Sequence, residues 1–349
     1  MSTMITGIAS LEVAITAHLA EWEQPFVELA IHETSVPRSI AQAIDAFCSR
    51  ELGSPVAGTL FYRSSVGAVA GVVLADGRRV VIKAHQPDRQ PAHLRAAVHL
   101  QRFLAEAGLF APRIIAGLLP LGTGLAVVEE YCSRGEWRDG HDPAVRRALA
   151  FGLYRVIRAL EPCMNIADVR SIELPAESLW PTPHSRLFDF EATTRGAGYI
   201  DDLARAARRQ VTPVGRRVIS HTDWRAEHVR FEGDEISVAY DWDSLCSTFE
   251  PAAVGAAAHM FCADWSRDDV AQAPTLAEAR AFISDYESAR GQEFTDEERR
   301  SCAGAFAYAV AYTARCGYAA GVDIRHQPGN HQNLIEAHGV GLLDPWRAV

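Results

Sequence analysis

Segment 221–243 has the highest density of groups that could do chemistry in this 349-residue chain. Asp223 and His228 precede a short strand-like stretch, and the next such stretch, after a tight turn, ends on Asp241. A hairpin of this length brings Asp223, His228 and Asp241 to the same end of its strands. Carboxylates and an imidazole that converge could hold a divalent cation, since hard cations such as Mg²⁺ prefer oxygen ligands. Acidic side chains that simply face solvent around a hairpin are the alternative interpretation.

A second set of candidate residues lies earlier in the chain. Lys83 ends the short apolar run that begins at Val80, and a run of small residues precedes it. That run, here called the small-residue loop, includes Ser64, Ser65 and Gly67. Small residues let backbone amides approach phosphate oxygens closely. The loop is neither Gly-x-Gly-x-x-Gly nor a P-loop, so an ordinary turn and a solvated lysine are the alternative.

The spacing His221-x-Asp223-x-x-x-x-His228, followed after an apolar strand by Asp241, resembles a known catalytic segment. It is similar to that of the aminoglycoside phosphotransferase family, whose relatives with the protein-kinase-like fold include macrolide and choline kinases. The resemblance implies that Asp223 orients or deprotonates the attacking hydroxyl. It also implies that Asp241 holds the Mg²⁺ that bridges the ATP phosphates. His221 would be a structural member of the loop.

The same resemblance assigns roles to the second set. Lys83 is similar to the strand lysine of kinases, which reaches the α- and β-phosphates. The small-residue loop would cover the nucleotide. The link that begins at Glu129 and Glu130 would be the hinge, where backbone groups bind adenine, so Glu130 is assigned to the nucleotide site.

Two positions depart from the family pattern. His228 stands where the family usually has Asn, although macrolide kinases look similar in carrying His there. A neutral imidazole is also a metal ligand, so metal binding would become more dependent on pH. The helix after the lysine strand usually carries a Glu that pairs with the lysine, but its only Glu here is Glu106, near the helix end. Gln101 or His99 is then the candidate partner.

Hydrophobic periodicity predicts the elements that position these residues. Residues 1–52 are predicted to form a helical extension, residues 53–131 a small lobe that the resemblance makes a nucleotide-binding N-lobe, and residues 132–349 a helical C-lobe. The C-lobe would hold the catalytic segment 221–245 and the acceptor site. The expected fold class is α+β. The resemblance implies a bilobal protein-kinase-like fold with a small N-lobe of mixed β-sheet and one helix, and a larger, mainly helical C-lobe.

Composition narrows the classes of function. Hydrophobic residues make up 48% of the chain, which excludes a disordered protein, and a net charge of −10 disfavours nucleic-acid binding. The seven cysteines include no Cys-x-x-Cys pair, so reduced thiols are expected rather than a zinc ribbon or a disulfide framework. No signal peptide or membrane-length apolar run is visible, and we expect a cytoplasmic protein without a membrane partner.

The expected function is a kinase that uses ATP and Mg²⁺ to phosphorylate a hydroxyl of a small molecule. Aminoglycosides, macrolides and related natural products or metabolites are the candidate acceptors, and antibiotic resistance is the role that such acceptors would imply. The acidic charge balance favours a cationic acceptor, whereas His228 favours a macrolide-like relative. Two alternatives remain open. One is a pseudokinase or nucleotide-binding scaffold without transfer, and the other is a metal hydrolase built on the His and Asp residues of segment 221–245.

Overall fold

The computed structural model describes residues 7–21 and 24–344. The ends of the predicted extension and C-lobe, 1–6 and 345–349, lie outside the described residues, as do residues 22–23. The described chain forms two compact units. The first unit comprises the described residues of 1–106 together with 111–133, and the second comprises 107–110 together with 134–344.

The described part of the first unit contains four helices and five strands. The helices are α1 (Ile8–Leu19), α2 (Phe26–His32), α3 (Pro37–Leu52) and α4 (Pro91–Glu106). The strands are β1 (Val56–Ser64), β2 (Ala68–Leu74), β3 (Arg79–His85), β4 (Ile114–Leu121) and β5 (Gly124–Glu130). They form one sheet in the order β1-β2-β3-β5-β4.

Each neighbouring pair in this sheet is antiparallel, which corrects the expectation of a mixed sheet. Short turns account for three of the four pairs, β1–β2, β2–β3 and β4–β5, because two strands joined by a hairpin must run in opposite directions. The β2–β3 turn shows how the sequence encodes it. Gly77 adopts a φ of 87°, and the side chain of Asp76 accepts the N–H of Arg78 at 3.0 Å.

One hydrophobic core joins the three N-terminal helices to one face of the sheet. Ile15 of α1 and Phe47 of α3 are fully buried in it, together with Val80 and Ile82 of β3. Successive side chains of a strand point to opposite faces, so the odd-numbered positions of β3, including Lys83, lie on the other face. The helices predicted as an extension therefore belong to the first unit and cover the sheet face opposite Lys83.

The described part of the second unit is rich in helices. They are α5 (Pro143–Ala159), α6 (Gly198–Arg208), α7 (Glu250–Ala258), α8 (Leu276–Arg290), α9 (Asp296–Ala319) and α10 (His331–His338). Its strands are β6 (Arg217–His221), β7 (Val229–Glu232), β8 (Glu235–Ala239) and β9 (Leu245–Phe249). Strand β6 pairs with β9, and β7 pairs with β8, both antiparallel.

Capping boxes at Thr275 and Thr295 start α8 and α9, because each threonine and the glutamate three positions later satisfy each other's backbone N–H groups. The two units together confirm the predicted α+β class with a mainly helical second part. Among the described residues, none of the helices combines the length and the apolar composition needed to cross a bilayer.

Candidate active site

The β7–β8 hairpin and the loops beside it bring three potential metal ligands together. Asp223 lies in the loop after β6, His228 ends a 3-10 turn just before β7, and Asp241 follows β8. One ligand atom from each of the three residues lies within 4.8 Å of the other two. The convergence expected from the hairpin spacing is therefore present, and none of the three side chains is fully exposed.

His221 connects the two loops that carry the carboxylates. Its Nε2 lies 2.9 Å from the carbonyl oxygen of Tyr240, and because a carbonyl only accepts, Nε2 carries the proton. Its Nδ1 accepts the backbone N–H of Asp223 at 3.3 Å. Burial lowers the pKa of His221 to about 4, so the ring is neutral at physiological pH. His221 therefore fixes the backbone of Asp223 relative to the residue before Asp241.

The hydrogen bond of His228 orients its ring. Nδ1 lies 3.0 Å from the carbonyl oxygen of Asp223 and must donate, which leaves the Nε2 lone pair for a ligand when the ring is neutral. Nδ1 also lies 3.7 Å from the Oδ2 carboxylate oxygen of the same aspartate. Two carboxylates and one neutral imidazole form a donor set that fits a small divalent cation.

The carboxylate of Asp223 has a cationic neighbour that the motif did not indicate. The guanidinium of Arg225 donates to Oδ1 of Asp223, and its Nε donates to Glu227 at 2.8 Å. Burial by itself raises the pKa of Asp223, but the charge and the hydrogen bond of Arg225 oppose burial, and the pKa lies below its usual value. Asp223 is therefore ionised at neutral pH, and 30% of its side chain remains exposed.

Asp241 adopts a left-handed backbone conformation with a φ of 65°. Residues other than glycine seldom occupy this region, and such strain is typical of functional sites where surrounding contacts maintain it. The carbonyl of Asp241 accepts the N–H of Ser244 at 3.1 Å and its hydroxyl at 2.8 Å. These two bonds close the turn that aims the Asp241 side chain.

Two tryptophans anchor the segment in the interior of the second unit. The indole N–H of Trp224 donates to the carbonyl of Leu149 at 2.8 Å, and that of Trp242 donates to the carbonyl of Ala239 at 2.7 Å. Both side chains are fully buried. Trp224 therefore packs in the interior of the second unit.

In the first unit, the small-residue loop joins β1 to β2 and is held at two points. The N–H and the hydroxyl of Ser64 each lie 2.9 Å from Nε2 of His18 on α1. Because a backbone N–H can only donate, this nitrogen is the acceptor. Beyond Ser65, the side-chain amide of Gln86 donates to the carbonyl of Val66 at 2.7 Å.

Gly67 allows the loop to lie directly against β3. A Cβ atom at this position would stand 2.7 Å from the carbonyl oxygen of Ala84, too close for any side chain. The carbonyl of Gly67 accepts the N–H of Ser65 at 3.1 Å, which closes the turn. Lys83 pairs with Val69 in the β2–β3 register, so the lysine and the loop lie at the same end of the sheet.

The acidic neighbour of Lys83 comes from the sheet. Nζ of Lys83 lies 3.9 Å from Oε1 of Glu129 on β5. The two partners that the sequence suggested take other positions. The side-chain amide of Gln101 donates to the carbonyl of Pro112 at 3.1 Å, and His99 is exposed.

Glu130 is engaged within the sheet. Its carboxylate accepts from Nε of Arg113 at 2.8 Å, and its N–H donates to the carbonyl of the same arginine at 2.9 Å. It pairs with Val80, whereas Lys83 pairs with Val127, so Glu130 lies three rungs along the sheet from the lysine. The assignment of Glu130 to adenine binding stays a prediction.

Comparison with models of protein families identifies the family of this chain. Residues 70–291, well over half of the chain, match the model of the phosphotransferase enzyme family. A search of the curated proteins finds no match.

Three solved structures illustrate the structural similarity. Spectinomycin phosphotransferase in complex with ADP and spectinomycin has a TM-score of 0.57 at 11% identity, over 86% of this chain and 98% of that chain. Amicoumacin kinase in complex with AMP-PNP, Ca²⁺ and Ami has a TM-score of 0.53 at 11% identity, over 80% and 86%. A macrolide 2′-phosphotransferase of type I has a TM-score of 0.52 at 15% identity, over 81% and 92%.

At these identities the similarity shows the fold alone, and it confirms the predicted protein-kinase-like fold. The family match confirms the resemblance found in the catalytic segment, and with it the expectation of an enzyme, a small-molecule kinase. This chain belongs to the phosphotransferase enzyme family.

Proposed function

We propose that this phosphotransferase moves the γ-phosphate of ATP to a hydroxyl group of a small molecule with the assistance of Mg²⁺. The observation that carries the proposal is the convergence of Asp223, His228 and Asp241 within the segment that matches the family. Phosphoryl transfer requires positioning and neutralisation of charge more than covalent participation by the protein. The described groups meet these requirements in the following roles.

Asp241 and His228 would hold the divalent cation. The left-handed turn aims the carboxylate of Asp241, and the backbone hydrogen bond of His228 leaves its Nε2 available. A bound Mg²⁺ supplies positive charge that stabilises the phosphate oxygens during transfer. A protonated imidazole cannot ligate a metal, so His228 serves this role only in its neutral form.

Asp223 would receive the proton of the acceptor hydroxyl. Burial raises its pKa, but the charge and the hydrogen bond of Arg225 oppose burial and the pKa lies below its usual value, so the carboxylate is ionised at neutral pH. Because the guanidinium of Arg225 already donates to Oδ1 of Asp223, we assign the other carboxylate oxygen, Oδ2, to the proton of the acceptor hydroxyl. Proton transfer by a positioned base contributes roughly 10²–10⁴-fold to a rate.

Lys83 and the small-residue loop would hold the phosphates of the nucleotide. At about 4 Å, a pair of unit charges is worth roughly 4 kcal/mol at an effective dielectric constant of 20, more than one neutral hydrogen bond. The backbone of Ser65 and Gly67 would face the phosphates, whereas Ser64 shapes the loop through its bonds to His18. The backbone of Glu130 would contribute to adenine binding.

The acceptor is proposed to be a hydroxylated natural product or a related metabolite. The fold is shared with a spectinomycin phosphotransferase, an amicoumacin kinase and a macrolide 2′-phosphotransferase, which supports this class. The net charge of −10 favours a cationic member of it. Use of ATP would place the reaction in the cytoplasm, and modification of an antibiotic would confer resistance.

A phosphate-transfer screen tests the proposal. Radiolabelled ATP and Mg²⁺ are supplied with a panel of hydroxylated antibiotics and amino-alcohols, and transfer is compared between the wild type and Asp223→Asn. The variant should lose roughly 10²–10⁴-fold in transfer while thermal stabilisation by Mg-ATP is retained. Asp234→Asn, on the exposed turn of the same hairpin, is the matched control and should behave as the wild type.

Two results would contradict the proposal. Stabilisation by Mg-ATP without phosphate transfer or ATP hydrolysis would identify a nucleotide-binding scaffold. Binding of a metal without any stabilisation by ATP analogues would favour a hydrolase. Full turnover by Asp223→Asn on an identified acceptor would show that the role of Asp223 is wrong.

A further inference from the structure

The register of β3 and β5 puts a lysine and a glutamate on one face of the sheet. Lys83 lies opposite Val127, and Glu129 lies opposite Val81. Side chains alternate between faces along a strand, so both pairs point to the same side. Lys83 and Glu129 are therefore diagonal neighbours, a separation that long side chains can bridge. The 3.9 Å between Nζ and Oε1 agrees with this placement.

Both charged groups are largely removed from solvent. The side chain of Lys83 is 11% exposed and that of Glu129 is 5% exposed. The residues opposite them in the register, Val127 and Val81, are apolar. A buried charge is costly unless an opposite charge or a hydrogen-bonding partner compensates for it. The depth of Glu129 therefore distinguishes it from an ordinary surface glutamate.

Helix α4 does not provide an equivalent carboxylate. Its only acidic residue is Glu106, which is exposed and is the last residue of the helix. The side-chain amide of Gln101, a buried polar residue of this helix, donates to a carbonyl of the first unit at 3.1 Å. The acidic group beside the strand lysine is therefore supplied by a strand and not by the helix.

We infer that Glu129 is the positioning residue for Lys83, orienting its ammonium group for the nucleotide phosphates in the role that a helix glutamate has in the kinase-like pattern. This inference rests on the proposed function and adds a residue to its nucleotide site. Because β3 and β5 are hydrogen-bonded to each other, the pair forms without any movement of α4. The lysine is then held in place before the nucleotide arrives, which lowers the cost of ordering it on binding.

Calorimetry on the full chain tests the inference with two probes, AMP-PNP in the presence of Mg²⁺, and adenosine. Glu129→Gln should lower the affinity for AMP-PNP about tenfold, because a charge-assisted contact that fixes the lysine is lost. The affinity for adenosine should stay within about twofold, since this probe has no phosphate for Lys83 to contact. A general structural defect would weaken both probes.

Three further variants sharpen the test. Glu106→Gln is the matched control on α4 and should bind AMP-PNP as the wild type does. Glu129→Asp keeps the charge and should bind AMP-PNP more tightly than Glu129→Gln. In a Lys83→Gln background, replacing Glu129 should cause no further loss, because the two residues act as one unit.

Each outcome separates this inference from the proposed function. A wild type that binds neither probe contradicts the proposed function itself. Three results overturn only the inference. Glu129→Gln leaves the tight binding of AMP-PNP unchanged, Glu129→Gln lowers the affinity for both probes equally, or Glu106→Gln lowers the affinity for AMP-PNP instead. If Glu129→Gln does not fold, the cycle is made with Glu129→Asp, and additive effects with Lys83→Gln overturn the inference.

Discussion

Segment 221–245 of the second unit and the five-stranded sheet of the first hold their candidate functional groups in different ways. In the segment, the hydrogen bonds of His221 and His228 that hold the two aspartate loops join residues no more than 23 positions apart. In the sheet, His18 holds Ser64 from 46 positions away. Glu129 lies next to Lys83 only because β5 pairs with β3.

Because of this difference, substitutions in the two regions should affect different properties. A local network places chemically active groups on a short piece of chain, so single changes there should remove activity while the fold survives. A network built across the sheet depends on residues that no motif marks. Changes at those residues should weaken nucleotide binding without touching the acceptor step.

The largest effect is expected in the local network, from Asp241→Asn. Removing this carboxylate from the metal site should lower turnover about 10³-fold, since a bound metal is worth several kcal/mol of charge stabilisation. Asparagine tolerates the left-handed backbone found at this position, so thermal stability should be nearly unchanged. Turnover as a function of Mg²⁺ concentration and the melting temperature are the measurements.

Asp241→Ala is the companion variant. Alanine loses the carboxylate as well and adds a backbone cost of roughly 1–2 kcal/mol at a positive φ. It should therefore match Asp241→Asn in activity but melt at a lower temperature. If Asp241→Asn kept its turnover, the metal would have to be held elsewhere and the local network would not be the catalytic one.

A fall in pH should reduce the stability of the second unit more than that of the first. Burial lowers the pKa of His221 and His259 to about 4 and that of His331 to about 3. These rings stay neutral in the folded chain but take up protons in the unfolded chain below about pH 6.5, so stability is lost as the pH falls. From pH 6.5 to 5.5 the loss is about 1 kcal/mol for each histidine, or roughly 3 kcal/mol in all.

Hydrogen-exchange mass spectrometry of the intact chain at the two pH values measures this loss for each unit. In the described part of the first unit, burial lowers the pKa of His32 to about 4 and that of His18 in the same direction, so its loss should be smaller. With His331→Gln, the second unit should take up about one proton fewer on unfolding, so its free energy of unfolding should depend less on pH. An equal loss in both units would contradict the contrast between them.

The smallest effect is expected from His18→Phe in the sheet network. Phenylalanine keeps an aromatic ring near Tyr62 but removes the nitrogen that accepts from Ser64. The KM for ATP should rise about threefold to fivefold, the worth of a hydrogen bond of about 1 kcal/mol, while the KM for the acceptor stays the same.

His32→Phe is the matched control for this variant. His32 lies on α2 in the same unit, and its buried ring nitrogens have no hydrogen-bond partner among the described residues. It should leave the KM for ATP unchanged. A similar rise in both KM values for His18→Phe would show that α1 supports the whole fold and not the loop.

The parts of the site that were predictable are those encoded locally. The turn between β7 and β8, the apolar strands beside it and the spacing of Asp223 and Asp241 all lie in one continuous stretch. Hydrophobic alternation and hairpin geometry therefore suffice to bring the ligands together. The left-handed backbone of Asp241 could not be read there, because residue type alone does not specify it.

The residues that the sequence did not reveal depend on strand pairing and side-chain direction, which cannot be inferred from the sequence. Gln101 and His99 were suggested as partners of Lys83 because helix spacing is visible in a sequence, whereas the pairing of β5 with β3 is not. The position of Arg225 on Asp223 was also missed, since two residues that are close in sequence reveal nothing about the direction of their side chains.

The family could be inferred from the resemblance of the motif in segment 221–241. The fold class and the ligands gathered by one hairpin could be inferred from short-range spacing and periodicity. Three features become visible only in three dimensions: α1–α3 cover one face of the sheet, His18 holds the small-residue loop, and a strand supplies a carboxylate beside Lys83. Strand order and burial arise from contacts between distant parts of the chain, and a side chain's partner across a sheet exists only once that order is set.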